Sequence, residues 1–145
     1  MAVNRTREPA EKLKPIVDPA AWDAAEMKNS ESWVYCFADK EIDEILTAAR
    51  ALVTSGIDII HVGKEDFVLP KTAATFAEIY DELKNGRGFV QMRGLPVDEI
   101  CREETAAVLW GVGTHFGKAL SQNPEGHVLG HVKDLGKKYN DPMVR

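Results

Sequence analysis

Apolar and polar positions along this chain change period several times, and each change predicts an element. Residues 1–17 are polar, broken by Pro9 and Pro15, and read as a flexible arm. From Asp18 the pattern turns helical. Asp is a good helix cap and Pro suits the first helical position, so Asp18-Pro19 predicts a short helix through Trp22 to Lys28. Asn29 and Ser30 stop it, and the aromatic and β-branched run Trp33-Val34-Tyr35-Cys36-Phe37 predicts a strand.

The clearest helix follows. Asp39 is placed to cap it, and Glu41 lies in its first turn. Ile42, Ile45, Leu46, Ala49 and Val53 recur at helical spacing until Gly56, which fits a left-handed cap. Ile57–Val62 reads as a short extended piece. A further helix is expected over Thr72–Lys84, with Phe76, Ile79, Tyr80 and Leu83 on one face and Asn85-Gly86 at its end. Gly88 to Arg93 then reads as a strand, and its apolar Gly-Phe-Val start fits burial on both faces. The last helix spans about Arg102 to Phe116, with an apolar stripe of Ala106, Leu109, Trp110, Gly113 and Phe116 closed by Gly117.

Beyond Gly117 the texture changes. Pro124, Gly126, Gly130 and Gly136 punctuate short apolar pieces such as His127 to Val132, which read as the start of β structure. A sheet that opens there without partners leaves bare strand edges, so the chain is expected to be part of a longer protein.

Composition narrows the class. The chain has 145 residues, 44% of them hydrophobic, which suffices for one domain with a real core. A net charge of −5 without a basic block argues against nucleic-acid binding. No apolar run is long enough to span a membrane, and the polar start lacks a signal-peptide core, so a cytoplasmic protein is expected. Cys36 and Cys101 form no Cys-x-x-Cys pair, and both read as small buried hydrophobes.

Candidate chemistry is sparse. Gly111-Val-Gly-Thr-His-Phe-Gly117 resembles a dinucleotide fingerprint, but its spacing is off by one and its glycines fall late in a helix, where no amides point at a phosphate. Close helix packing followed by a cap explains them better. His127-x-x-x-His131-x-x-Asp134 has the spacing of a helical metal motif. The surrounding glycines and valines favour an extended segment instead, in which residues four apart lie about 13 Å from one another. An exposed pair of strand histidines is therefore expected, not a metal site. His115 near a helix end suits the macrodipole, and His61 has no partner pattern. No catalytic constellation is legible in the residues themselves.

Three ordered stretches do carry a resemblance: Gly86-Arg-Gly-Phe-Val-Gln-Met-Arg-Gly-Leu-Pro-Val97, then Trp110-Gly-Val-Gly-Thr-His-Phe-Gly117 with Leu120-Ser-Gln-Asn123, then His127-Val-Leu-Gly-His-Val-Lys-Asp134. Over residues 18–145 this order resembles the N-terminal part of the taurine dioxygenase (TauD/TfdA-like) family of Fe(II)- and 2-oxoglutarate-dependent oxygenases. The resemblance implies an α+β fold: N-terminal helices and the first strands of a double-stranded β-helix (jelly roll), incomplete in this chain. It also implies Fe(II) and 2-oxoglutarate as cofactors of a full-length member, and a small organic substrate.

The family's iron motif is His-x-Asp/Glu with a distant His, and no histidine here has an acid two residues on. No catalytic or metal-binding residue is therefore assigned to this chain. What the resemblance carries over is the rim of a substrate pocket: Ser121, Gln122 and Asn123, with Arg145 just ahead of the expected iron motif. The expected function is that of an oxygenase segment that is silent by itself. The alternative is a small non-catalytic α/β interaction domain that covers its strand edges by self-association, as a homo-oligomer, or by binding a protein partner.

Overall fold

A computed structural model describes residues 6–121, 124, 126–130, 134 and 136. Residues 6–17 hold neither helix nor strand; the Glu8 amide donates to the Val17 carbonyl at 3.0 Å and Arg7 Nε to Asp18 at 2.6 Å. The first helix, α1 (Ala24–Lys28), begins later than the sequence predicts. Asp23, not Asp18, caps it: Asp23 accepts from the Glu26 amide at 2.9 Å, and Glu26 accepts from the Asp23 amide at 3.1 Å. Asp18 instead accepts from the Ala20 amide at 2.8 Å, so it starts a turn before the helix.

Strand β1 (Val34–Cys36) runs parallel to β2 (Gln91–Arg93), with Val34 opposite Gln91, Tyr35 opposite Met92 and Cys36 opposite Arg93. A parallel pair needs a long crossover, and here it is made by two helices. These are α2 (Asp39–Ser55) and α3 (Ala73–Asn85), separated by a 3-10 turn at Ile59–His61 where an extended piece is predicted. The Asp58 side chain accepts from the Ile60 amide at 3.3 Å, and this local bond favours the turn. The final helix, α4 (Arg102–Thr114), packs along α2.

Among the described residues the sheet has these two strands only, and β2 is exposed throughout rather than buried on both faces. Phe89 and Val90, just before it, are half-buried. Both cysteines are exposed as well: Cys36 sits on the outer end of β1, and Cys101 precedes α4 instead of entering the core.

The core lies between α2, α3, α4 and the loop that joins the 3-10 turn to α3. Ile45, Ala49 and Phe67 are fully buried, with Leu69, Phe76, Ile79, Val108 and Val112 around them. Gly111 lets α4 approach that loop, because a Cβ there would fall within 2.5 Å of Phe67 ring atoms Cγ and Cε2. Close helix packing is thus the role of this glycine. Gly56 ends α2 at φ 68°, the left-handed cap its position predicts.

The face of α4 departs from expectation. Ala107, Val108, Gly111 and Val112 are buried, whereas Leu109 is 62% exposed. The helix is apolar on nearly all sides, so its spacing alone does not say which side meets the core. Tyr80 and Leu83 of α3 also remain partly exposed, while Phe76 and Ile79 are buried as predicted.

Candidate functional site

Two carboxylates on α2, the buried Glu41 and the half-buried Glu44, organise the helices. Glu41 is 2% exposed, and every bond it makes is to the charged form. Its Oε1 accepts from the Thr75 hydroxyl at 2.6 Å, and its Oε2 from the Tyr35 hydroxyl at 2.8 Å and the Ala38 amide at 2.9 Å. Burial pushes its pKa up, but the bonds from Thr75, Ala38 and Tyr35 outweigh that and hold it below the usual glutamate range. Burial raises the Tyr35 phenol, which remains a proton donor.

Glu44, one turn on, accepts from the amides of Lys71 and Thr72, each at 2.9 Å, and from the Thr72 hydroxyl at 2.7 Å. It thereby supplies from α2 the cap that α3 lacks in its own sequence. Burial again opposes ionisation, and the same three bonds again win, so its pKa is lowered too. With all these donors committed to holding elements together, the two carboxylates do structural work.

The histidines are scattered. His115 Nε2 lies 2.8 Å from the Phe67 carbonyl and must donate to it, with the ring edge-on to Phe76 at 5.2 Å. That pins the core loop to the end of α4 and leaves Nε2 unable to bind a metal. His61 is exposed on the 3-10 turn, and His127 is exposed outside any helix or strand. His131 lies outside the described residues. Among the described residues no group of three His, Cys, Asp or Glu side chains could hold a metal ion. The residues described therefore do not fit the iron that the family resemblance implies.

A groove of about 1000 Å³ opens between the 3-10 turn and α4. One wall is the 3-10 turn and its continuation, Ile60 to Glu65. Another is α4 through Leu109, Trp110, Gly113 and Thr114, and the far side is formed by 117–119 with Gly126, Val128 and Leu129. Trp110 Nε1 donates to the Val62 carbonyl at 3.0 Å and fixes the floor between the first two walls. The signal for this groove was in the sequence: Leu109, Trp110 and Gly113 belong to the stripe that spacing assigns to the core. Trp110 and Phe116 of that stripe pack against the core, while Leu109, Gly113 and one side of Trp110 line the groove.

Of the predicted pocket rim, Ser121 is exposed and follows the groove-lining Gly117-Lys118-Ala119 without lining the groove itself. Gln122, Asn123 and Arg145 lie outside the described residues. No helix among the described residues is long and apolar enough to cross a membrane.

Comparison with known proteins adds two likenesses at low identity. The chain is 26% identical over 133 residues to FR-33289 synthase of Streptomyces rubellomurinus, covering 91% of this chain and 39% of that protein. It is 25% identical over 125 residues to a taurine hydroxylase-like protein of Stachybotrys chartarum, covering 86% of this chain and 32% of that one. The chain thus spans well under half the length of either relative. No family model matches the sequence.

Proposed function

We propose that this chain is the N-terminal scaffold portion of a TauD-like oxygenase that depends on Fe(II) and 2-oxoglutarate and oxidises a small organic substrate. The observation that carries this reading is the likeness to a taurine hydroxylase-like protein over 86% of the chain. In this reading β1 and β2 begin a jelly roll, and α2, α3 and α4 buttress it. Bound iron with 2-oxoglutarate supplies an oxidant for C–H bonds, and its ligands come from residues outside those described here. This chain's own contribution is positioning. The Glu41 and Glu44 networks fix α2 against α3, and the Ser121-Gln122-Asn123 loop and Arg145 border the substrate pocket.

The test is a comparison of the 145-residue chain with the longer product of its coding region. The longer product is expected to release succinate from 2-oxoglutarate in an Fe(II)-dependent way, and the chain alone to release none. A coding region that stops at Arg145 would leave the alternative, a non-catalytic interaction domain.

A further inference from the structure

The outward side of α4 combines features that an isolated surface does not need. Leu109 is 62% exposed and Ile60, across the groove, is 49% exposed, both beside the partly buried Trp110. Large apolar side chains are thus gathered around one concavity. Gly113, the next-to-last residue of α4, opens on this side, and a Cβ there would meet nothing within 4 Å. Gly111, two residues earlier, admits Phe67, whereas Gly113 admits nothing that the described residues contain.

Charge narrows the occupant. Lys64 and Lys118 stand on opposite walls, and neither has an ion-pair or hydrogen-bond partner among the described residues. Among the described residues one carboxylate, Glu65, lines the groove with them. A second copy of the chain suits this surface poorly. Two-fold docking would bring like lysines together, in a molecule whose net charge is −5.

We propose that the groove between the 3-10 turn and α4 seats an apolar segment carrying an acidic residue, contributed by the additional polypeptide of the longer protein. This rests on the reading that the chain is part of a longer oxygenase, whose relatives exceed it in length more than twofold by the 39% and 32% coverage. The incoming backbone approaches α4 at Gly113, its apolar side chains cover Leu109 and Ile60, and its carboxylate meets Lys64 and Lys118.

Thiol footprinting tests it. In a Cys36→Ser/Cys101→Ser background, Leu109→Cys is made in both the 145-residue chain and the longer product, with Val68→Cys as an exposed control outside the groove. Maleimide labelling at position 109 is expected to slow at least tenfold in the longer product and not at position 68. Equal labelling of position 109 in both lengths would overturn the proposal. Hydroxyl-radical footprinting of Leu109 and Ile60 in the unmodified proteins gives the same comparison if a variant fails to fold. Lys64→Glu/Lys118→Glu is expected to lower the melting temperature of the longer product only; an equal change in both lengths would overturn the charge match. Protection already present in the short chain, with a dimer in light scattering, would point to a second copy and overturn it too. Failure of the oxygenase reading is a separate result: a protected groove in a longer product that never consumes 2-oxoglutarate.

Discussion

The Thr75 hydroxyl donates a 2.6 Å hydrogen bond to the Glu41 carboxylate and so ties α3 to α2 through a group that is almost fully buried. The same carboxylate holds the Tyr35 hydroxyl of β1. One side chain therefore fixes the relation of a strand and two helices. A buried acceptor with three donors is hard to replace, because removing it strands every donor it served.

Glu41→Leu is therefore expected to destabilise the chain by about 3 kcal/mol, since the Tyr35 and Thr75 hydroxyls and the Ala38 amide lose their acceptor together. Thr75→Val removes one donor and leaves the other two bonds, so about 1 kcal/mol is expected. Urea denaturation followed by circular dichroism measures both. Equal losses from the two variants would show that the carboxylate is not the centre of the network.

Acid sensitivity follows from the same groups. The folded pKa values of Glu41 and Glu44 are both lowered, so the unfolded chain takes up protons more readily than the folded one as the pH falls. Their stabilisation is full above the ordinary glutamate range and drains away as the pH drops from about 5 through the depressed folded values. Stability measured between pH 7 and pH 3 is expected to fall on the acid side. Glu44→Gln should lower stability at pH 7 and flatten that acid limb, whereas a parallel shift at every pH would remove Glu44 from the linkage.

What the sequence reveals of this fold depends on how local each determinant is. The span of α2 and its end at Gly56 are legible because an amphipathic period and a left-handed cap are written in adjacent residues. The start of α1 is not, since Asp18 and Asp23 are both good caps and only three-dimensional competition assigns Asp18 to a turn and Asp23 to the helix. The inward face of α4 is hidden for a different reason: Ala107, Val108 and Val112 are no more apolar than Leu109 and Trp110 beside them. Glu41 and Glu44 look like ordinary solvated acids near the start of a helix. Their partners Tyr35, Thr72 and Thr75 are up to 34 residues away, and no periodicity announces such bonds. For the candidate site, spacing finds Leu109, Trp110 and Gly113 and assigns them all to the core; Trp110 does pack there, whereas Leu109 and Gly113 face the groove.

Trp110 offers a probe of the groove floor. Its Nε1 hydrogen bond to the Val62 carbonyl joins α4 to the end of the 3-10 turn. Trp110→Phe keeps most of the apolar surface and loses that bond, with an expected cost of about 1 kcal/mol. Hydrogen exchange should report faster opening around Ile59–Val62. Unchanged exchange there would mean that the turn is held by its own capping bonds.

Gly111 and Gly113, two residues apart in one helix, provide a pair of substitutions with opposite signs. Both lie in the last turn of α4 and gain helix propensity on change to alanine, by at most the interior value of about 1 kcal/mol. At Gly113 nothing lies within 4 Å of the new methyl, so Gly113→Ala is expected to raise the melting temperature of this chain. At Gly111 the methyl would stand 2.5 Å from atoms of the Phe67 ring, which is itself fully buried and has no open side to move into. Overpacking of that kind costs about 1–3 kcal/mol and exceeds the gain, so Gly111→Ala is expected to lower the melting temperature. Phe67→Leu should relieve the contact, and the double variant should then recover part of the loss, a coupling that a double-mutant cycle reads directly. If Gly111→Ala were as stabilising as Gly113→Ala, the close approach of α4 to the Phe67 loop would not be the constraint that fixes which face of this helix turns inward.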